Sequence, residues 1–352
     1  MRILKIDKND WTAGVDRLAG SYRVVGPRKE GAFHNFEVLE KGEQPDFDFQ
    51  NTRLSAKGVV YPQSEKMMRY TLDESREDHH VMHDLDKDIP ETAILGVRPC
   101  DAKAIELVNL NFDTDEYKDP YWIRRYEKLY RVGLACDNPC GACFCTSAGS
   151  GPYDEQGLDI LLVDNGDSYL ARVLTDKGEK LAQAAGWSTE AGDVEAVIAD
   201  RAKAAEDKIT SRVDQGRLTE LATNDLHGAP FWDDVSFSCI NCGTCTYLCP
   251  TCWCFDIQDE VCGTEGCRLK NWDSCMYPLF TMHGTGHNPR GTKLDRVRQR
   301  FMHKLKYFTD KYDQGIMCVG CGRCVAQCPV NIDIRRVCDL MNSYEPGSEC
   351  AV

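Results

Sequence analysis

A chain of 352 residues with 42% hydrophobic side chains is long enough for two domains and too apolar to remain disordered. Its formal net charge of −14 argues against a nucleic acid as main partner, and no run of about 18 apolar residues is present to span a membrane. Twenty cysteines against eight histidines follow a start, MRILKIDKNDW, too short and too charged for an export signal; both point to a reducing cytoplasm and to thiolate-rich metal sites rather than disulfides.

Residues 1–230 read as a mixed α/β domain. Early in it, His79, His80 and His83 sit in the acidic stretch EDHHVMHDLDKD and read as solvated. ETAILGV is a short apolar run expected to be a buried strand, followed by a Pro–Cys turn and the helical AKAIELVNL. KLYRVGLAC is a second such strand, ending at Cys136. LDILLVDNGDSYLARVLT predicts a β-hairpin turning at Asn-Gly-Asp. From Asp176 to about Asp225 the Ala-, Glu- and Lys-rich pattern is helical with solvated faces. The composition shifts at LATNDLHGAPFWDDVSFSC, and residues 231–352 read as a mostly helical second domain, so the fold class is α+β.

The first domain holds five cysteines. Cys100 and Cys136 each follow a predicted strand; if the strands are parallel neighbours, both thiols emerge at the same sheet edge, where open sheets bind ligands. The CFC of Cys143 and Cys145 would close a four-thiolate site over Cys100 and Cys136. Cys140 competes with Cys136, because Cys140 and Cys143 also have metal-ligand spacing. A redox dithiol or structural thiols are the plainer alternative.

The second domain holds two runs of the form C-x2-C-x2-C-x3-C-P: Cys239, Cys242, Cys245 and Cys249, and Cys318, Cys321, Cys324 and Cys328. Three closely spaced thiolates wrap one face of a cuboidal cluster, with Gly243 and Gly322 letting the backbone approach. The fourth thiolate reaches the other cluster. Cluster 1 is therefore assigned to Cys239, Cys242, Cys245 and Cys328, and cluster 2 to Cys318, Cys321, Cys324 and Cys249. Zinc would favour two close pairs with a longer spacer. The 68 residues between the runs are too many for a small bacterial ferredoxin and imply a helical ferredoxin scaffold with a long insertion. That insertion adds Cys252, Cys254, Cys262, Cys267 and Cys275, four of which suffice for a further cluster, while packing thiols are the alternative. Cys338 and Cys350 match no ligand pattern. In KLDRVRQRFMHKLKYFTDKY, Leu294, Val297, Phe301, Leu305 and Phe308 form one helix face. Arg296, Arg300, Lys304 and Lys311 form the opposite face, read first as solvated and second as offsetting nearby cluster charge or docking an acidic partner.

Together YPQSEKMMRY, GVRPCDAKAI, ACDNPCGACFCTSAGSGP, CPTCWCFDIQDE, WDSCMYPLFTMHGTGHNPR, RVRQRFMHKLKYF and CVGCGRCVAQCPVNIDI span most of the chain. They resemble the iron–sulfur beta subunit of soluble sulfhydrogenases, with its relatives the A subunit of anaerobic sulfite reductase and the subunit beside soluble heterodisulfide reductases. The resemblance favours Cys136 over Cys140 and marks Cys262 and Cys267 as additions. It implies a non-catalytic subunit that relays electrons through three [4Fe–4S] clusters, with room for a fourth. Its partners would be a flavoprotein NAD(P)H-oxidoreductase subunit and a catalytic reductase or hydrogenase subunit. No G-x-G-x-x-G follows a strand, so no flavin or nicotinamide site is expected in this chain. A catalytic iron–sulfur reductase with a site-differentiated cluster is the alternative, supported by the spare cysteines of 252–275. A zinc-dependent nucleic-acid module is opposed by the acidic charge and the doubled run.

Overall fold

A computed structural model describes residues 2–85 and 88–347, so Cys350 lies outside the described residues. The strands are β1 (Arg2–Asp7), β2 (Arg23–Glu30), β3 (Phe33–Val38), β4 (Ser64–Thr71), β5 (His83–Asp84) and β6 (Thr92–Val97) in the first part of the chain. They continue with β7 (Leu129–Leu134), β8 (Ile160–Asp164), β9 (Ser168–Val173), β10 (Phe255–Cys262) and β11 (Glu265–Trp272). The larger sheet runs β1-β9-β8-β7-β6-β2-β3, and its centre, β2, β6, β7 and β8, is parallel. The architecture is α+β, as the sequence implies.

Every residue of β6 is buried, as expected for a strand covered on both faces. Ala93 and Leu95 pack with Leu4, Trp11 and Leu181 on one side. Ile94 packs with Ile105, Val108 and Trp122 on the other, under the helix Pro99–Phe112 that Pro99 opens. The β8–β9 hairpin forms where the Asn-Gly-Asp turn places it, with Gly166 at φ 79°. Helix covers only part of 176–225, as Asp176–Ala185, Glu195–Asp207 and Thr223–His227.

The second half is less helical than its sequence implies. Its insertion folds into the β10–β11 hairpin, and β11 pairs antiparallel with β4, so the two halves of the chain share the smaller sheet β10-β11-β4-β5. The long basic helix is real but interrupted: Lys293–Met302 is α-helical, His303–Tyr307 is a π turn, and Phe308–Tyr312 returns to α. Val297, Phe301, Leu305 and Phe308 are buried, as the periodicity demands. Among the described residues no helix is long and apolar enough to cross a membrane.

Candidate metal centres

β6 and β7 are parallel neighbours, so the chain leaves both at the same sheet edge. Cys100 lies in the first turn of the helix after β6, and Cys136 follows β7 by two residues. The loop 137–159 returns over that edge, held where the Cys136 amide donates to Pro152 O at 2.9 Å. One cavity is lined by Cys100, Cys136, Cys140, Cys143 and Cys145 together. The Cys145 thiol hydrogen-bonds Cys143 and brings it down to about 7, while Cys145 moves up. Cys140 turns its thiol to Cys321 O at 3.8 Å, toward the second half of the chain.

The two ferredoxin runs form two loops of one design. Asn241 and Gly243 in the first, and Gly320 and Gly322 in the second, all take positive φ between 54° and 77°. The Asn241 amide reaches Cys239 Sγ at 3.4 Å, and the Gly320 amide reaches Cys318 Sγ at 3.5 Å. Ile332 N adds a third such bond, to Cys328 Sγ at 3.2 Å. Such N–H···S bonds favour the anionic sulfur of a ligated cluster. Cys239, Cys242, Cys245 and Cys328 line one hollow. Cys249 lies close enough to Cys318, Cys321 and Cys324 to perturb all three electrostatically.

Three further thiols meet beside Cys249. Cys249 contacts Cys252, Cys254 contacts Cys275, and Cys252 lies near both of the latter. Cys262 and Cys267 do not join them. Cys262 ends β10, an eight-residue strand begun next to Cys254, which carries it roughly 26 Å away. Cys338 is buried in the second-domain core and its thiol faces Asp214 O at 3.4 Å. His79 and His80 stay on an exposed turn. Among the described residues no three His, Cys, Asp or Glu side chains close around one point as a single metal ion requires.

Charge tests the fit independently. Lys and Arg are rarely buried unless paired. Among the described residues eight Lys or Arg are buried, against only three Asp or Glu, in a chain whose acidic residues outnumber its basic ones 56 to 42. Lys57, Arg98, Arg296, Arg300 and Lys304 have no carboxylate partner among the described residues. Arg98 gives its guanidinium to the carbonyls of Phe49, Gln50, Leu134 and Ala135 beside Cys136. Arg300 lines the first hollow and donates to Cys245 O, with its Nε unpartnered. Lys304 holds Thr251 Oγ1 at 2.8 Å; burial opposes its charge, yet nearby Cys249 and Cys252 hold its pKa above the ordinary value. Arg296 faces Asn241, whose amide oxygen accepts from it when suitably oriented. The basic helix face read first as solvated is therefore buried at Arg296, Arg300 and Lys304 and exposed only at Lys311. Burial pushes the Cys318 thiol up to about 12 and Cys245 to about 11. A coordinating metal deprotonates such thiols outright, and the thiolates then meet the buried cations. Thiolate donors ringed by unpaired buried cations fit anionic iron–sulfur clusters.

The sets adjoin one another. Cys321 of the second set lines the cavity of the N-terminal set, and Cys324 of the second set lines the hollow of the first. Phe144 N donates to Gly320 O at 2.9 Å, so the two loops touch through their backbones. Sequence reasoning missed this contact. Its signal was Gly320 itself, where a Cβ would stand 2.5 Å from the Phe144 carbonyl carbon.

Residues 238–332 match the family of 4Fe-4S dicluster domains. Sulfhydrogenase 2 subunit beta of Pyrococcus furiosus is 30% identical over 346 residues, covering 96% of this chain and 98% of that protein. No solved structure matches the chain. With its paired ferredoxin loops and near full-length likeness, the chain belongs to the iron–sulfur beta-subunit family of sulfhydrogenases and has an iron–sulfur electron-transfer role.

Proposed function

We propose that this chain relays single electrons between a flavoprotein subunit that handles NAD(P)H and a catalytic reductase or hydrogenase subunit, using three [4Fe–4S] clusters. The ligands are Cys239, Cys242, Cys245 and Cys328; Cys318, Cys321, Cys324 and Cys249; and Cys100, Cys136, Cys143 and Cys145. A [4Fe–4S] cluster, when bound, accepts and releases one electron without making bonds to a substrate. The protein's part is spacing, insulation and charge compensation. The carrying observation is the sharing of borders: Cys321 faces the N-terminal set and Cys324 faces the first ferredoxin set. The middle set is the buried one, and the outer sets reach the surface, with Cys242 exposed. Residues 1–230 would carry one terminal site and residues 231–352 the other two. In this reading the chain works in the cytoplasm and has no flavin or nicotinamide site of its own.

A second reading, a catalytic reductase, is favoured by one observation: Cys252, Cys254 and Cys275 converge outside the three four-cysteine sets, beside Cys249 of the second. Iron and sulfide counting on anaerobically purified protein tests the relay. The three clusters require at least about twelve iron atoms per chain. Cys143→Ser should lose about four of them, whereas Cys140→Ser should keep the full number. Equal iron in the two variants would sink the N-terminal assignment, and a new EPR signal that appears only with an added oxidised substrate would favour the second reading.

A further inference from the structure

The β10–β11 hairpin brings two distant segments together at its open end. Phe255 pairs with Trp272, and just outside that pair the Asp273 amide donates to Cys254 O at 2.9 Å. The register therefore sets Cys254 beside the turn that carries Cys275, and their thiols touch. Cys252 reaches the same place from the turn after the first ferredoxin run. Cys254 and Cys252 are half-buried, and Cys275 is buried.

A second observation points to an anion at this place. Lys57 is buried and binds two backbone carbonyls, Cys249 O at 3.1 Å and Cys252 O at 2.8 Å. Its ammonium also stands over the Trp272 ring, 4.0 Å from the centroid. No carboxylate pairs with it among the described residues. Lys57 comes from the first half of the chain, and the thiols near enough to act on its charge are Cys252, Cys249 and Cys254. A buried ammonium held only by carbonyls and a ring is costly unless a negative charge lies near.

We propose that Cys252, Cys254 and Cys275 hold a fourth iron–sulfur cluster on three thiolates, with Lys57 offsetting its charge. Cys249 stays with the second ferredoxin set, so one corner of this cluster has no cysteine. Cys262 and Cys267 take no part. The inference rests on reading the chain as an iron–sulfur protein.

The test is iron and sulfide counting, with Mössbauer and EPR spectroscopy, on the anaerobic full-length chain and on a Cys254→Ser/Cys275→Ser variant. The wild type should carry about 15 or 16 iron atoms per chain, and the variant about 12 with its remaining EPR signals unchanged. The wild-type count stands alone if the variant does not fold. A wild type with about 12 iron atoms, matched by the variant, would overturn this fourth site and leave the three-cluster reading standing. A wild type without iron would overturn both.

Discussion

Arg323 donates to Asp101 in two bonds of 2.6 and 2.7 Å and to Thr52 through two more, with Asp101 only 1% exposed. Asp101 belongs to the helix that carries Cys100, and Arg323 lies between Cys321 and Cys324. One buried pair thus fixes the N-terminal thiols against the second ferredoxin loop. Asp101→Asn keeps the shape but leaves the guanidinium buried without its counter-charge, which costs about 3–5 kcal/mol. Asp113, paired with mostly exposed Lys118, is the control, and Asp113→Asn should cost only about 0–1 kcal/mol. Anaerobic chemical denaturation of the two variants checks the contrast, and equal losses would contradict the clamp. Gly320 does the complementary work at this junction. Its φ of 63° and missing Cβ let the loop meet Phe144 and Cys145 backbone to backbone.

At the scale of elements, the helix from Lys293 onward makes the most informative comparison with its sequence. Its apolar face was legible because Val297, Phe301, Leu305 and Phe308 recur at helical spacing. Its basic face was misleading, because charge at such spacing ordinarily means solvent; thiolate sites across the chain reverse that rule for Arg296, Arg300 and Lys304. The π turn His303–Tyr307 carries no periodic signal of its own. It places the His303 ring 5.0 Å from that of Trp253, between Cys252 and Cys254 in sequence. Burial brings His303 from its ordinary 6.5 to about 4. The unfolded chain therefore takes the proton first as pH falls, so this stabilisation is present above pH 6.5 and is lost toward pH 4. Between pH 7 and pH 5 the loss amounts to about 2 kcal/mol. His303→Gln should lessen the fall in Tm between those two pH values; an unchanged fall would count against the buried neutral ring. The parallel β6–β7 pair and the β8–β9 hairpin were legible from apolar runs and a turn. The β10–β11 hairpin was not: β10 is exposed along its whole length, so it shows no buried stripe, and the pairing of β11 with β4 joins residues about two hundred positions apart.

At the scale of the whole molecule, charge and topology give one arrangement. Among the described residues the interior holds eight buried Lys or Arg against three Asp or Glu. Three oxidised clusters with four thiolates each would add roughly six negative charges inside. Arg98, Arg296, Arg300 and Lys304, buried without carboxylate partners among the described residues, offset part of them. They stand where the sets adjoin: Arg98 at the N-terminal set, Lys304 near the middle one, and Arg300 between the middle and the first. Because only the middle set borders both others through its own cysteines, the relay reading makes it the obligatory step. Cys318→Ala removes one of its ligands and leaves both outer sets intact. Iron should fall by about four atoms, with the outer clusters still reducible by dithionite. EPR lines of the fully reduced protein should narrow, since the paramagnetic neighbour between the outer clusters is gone. Electron flow from a flavoprotein donor to an acceptor at the far end should drop to the level of the buffer control. Undiminished flow in a variant shown to lack those iron atoms would mean that the sets do not act in series.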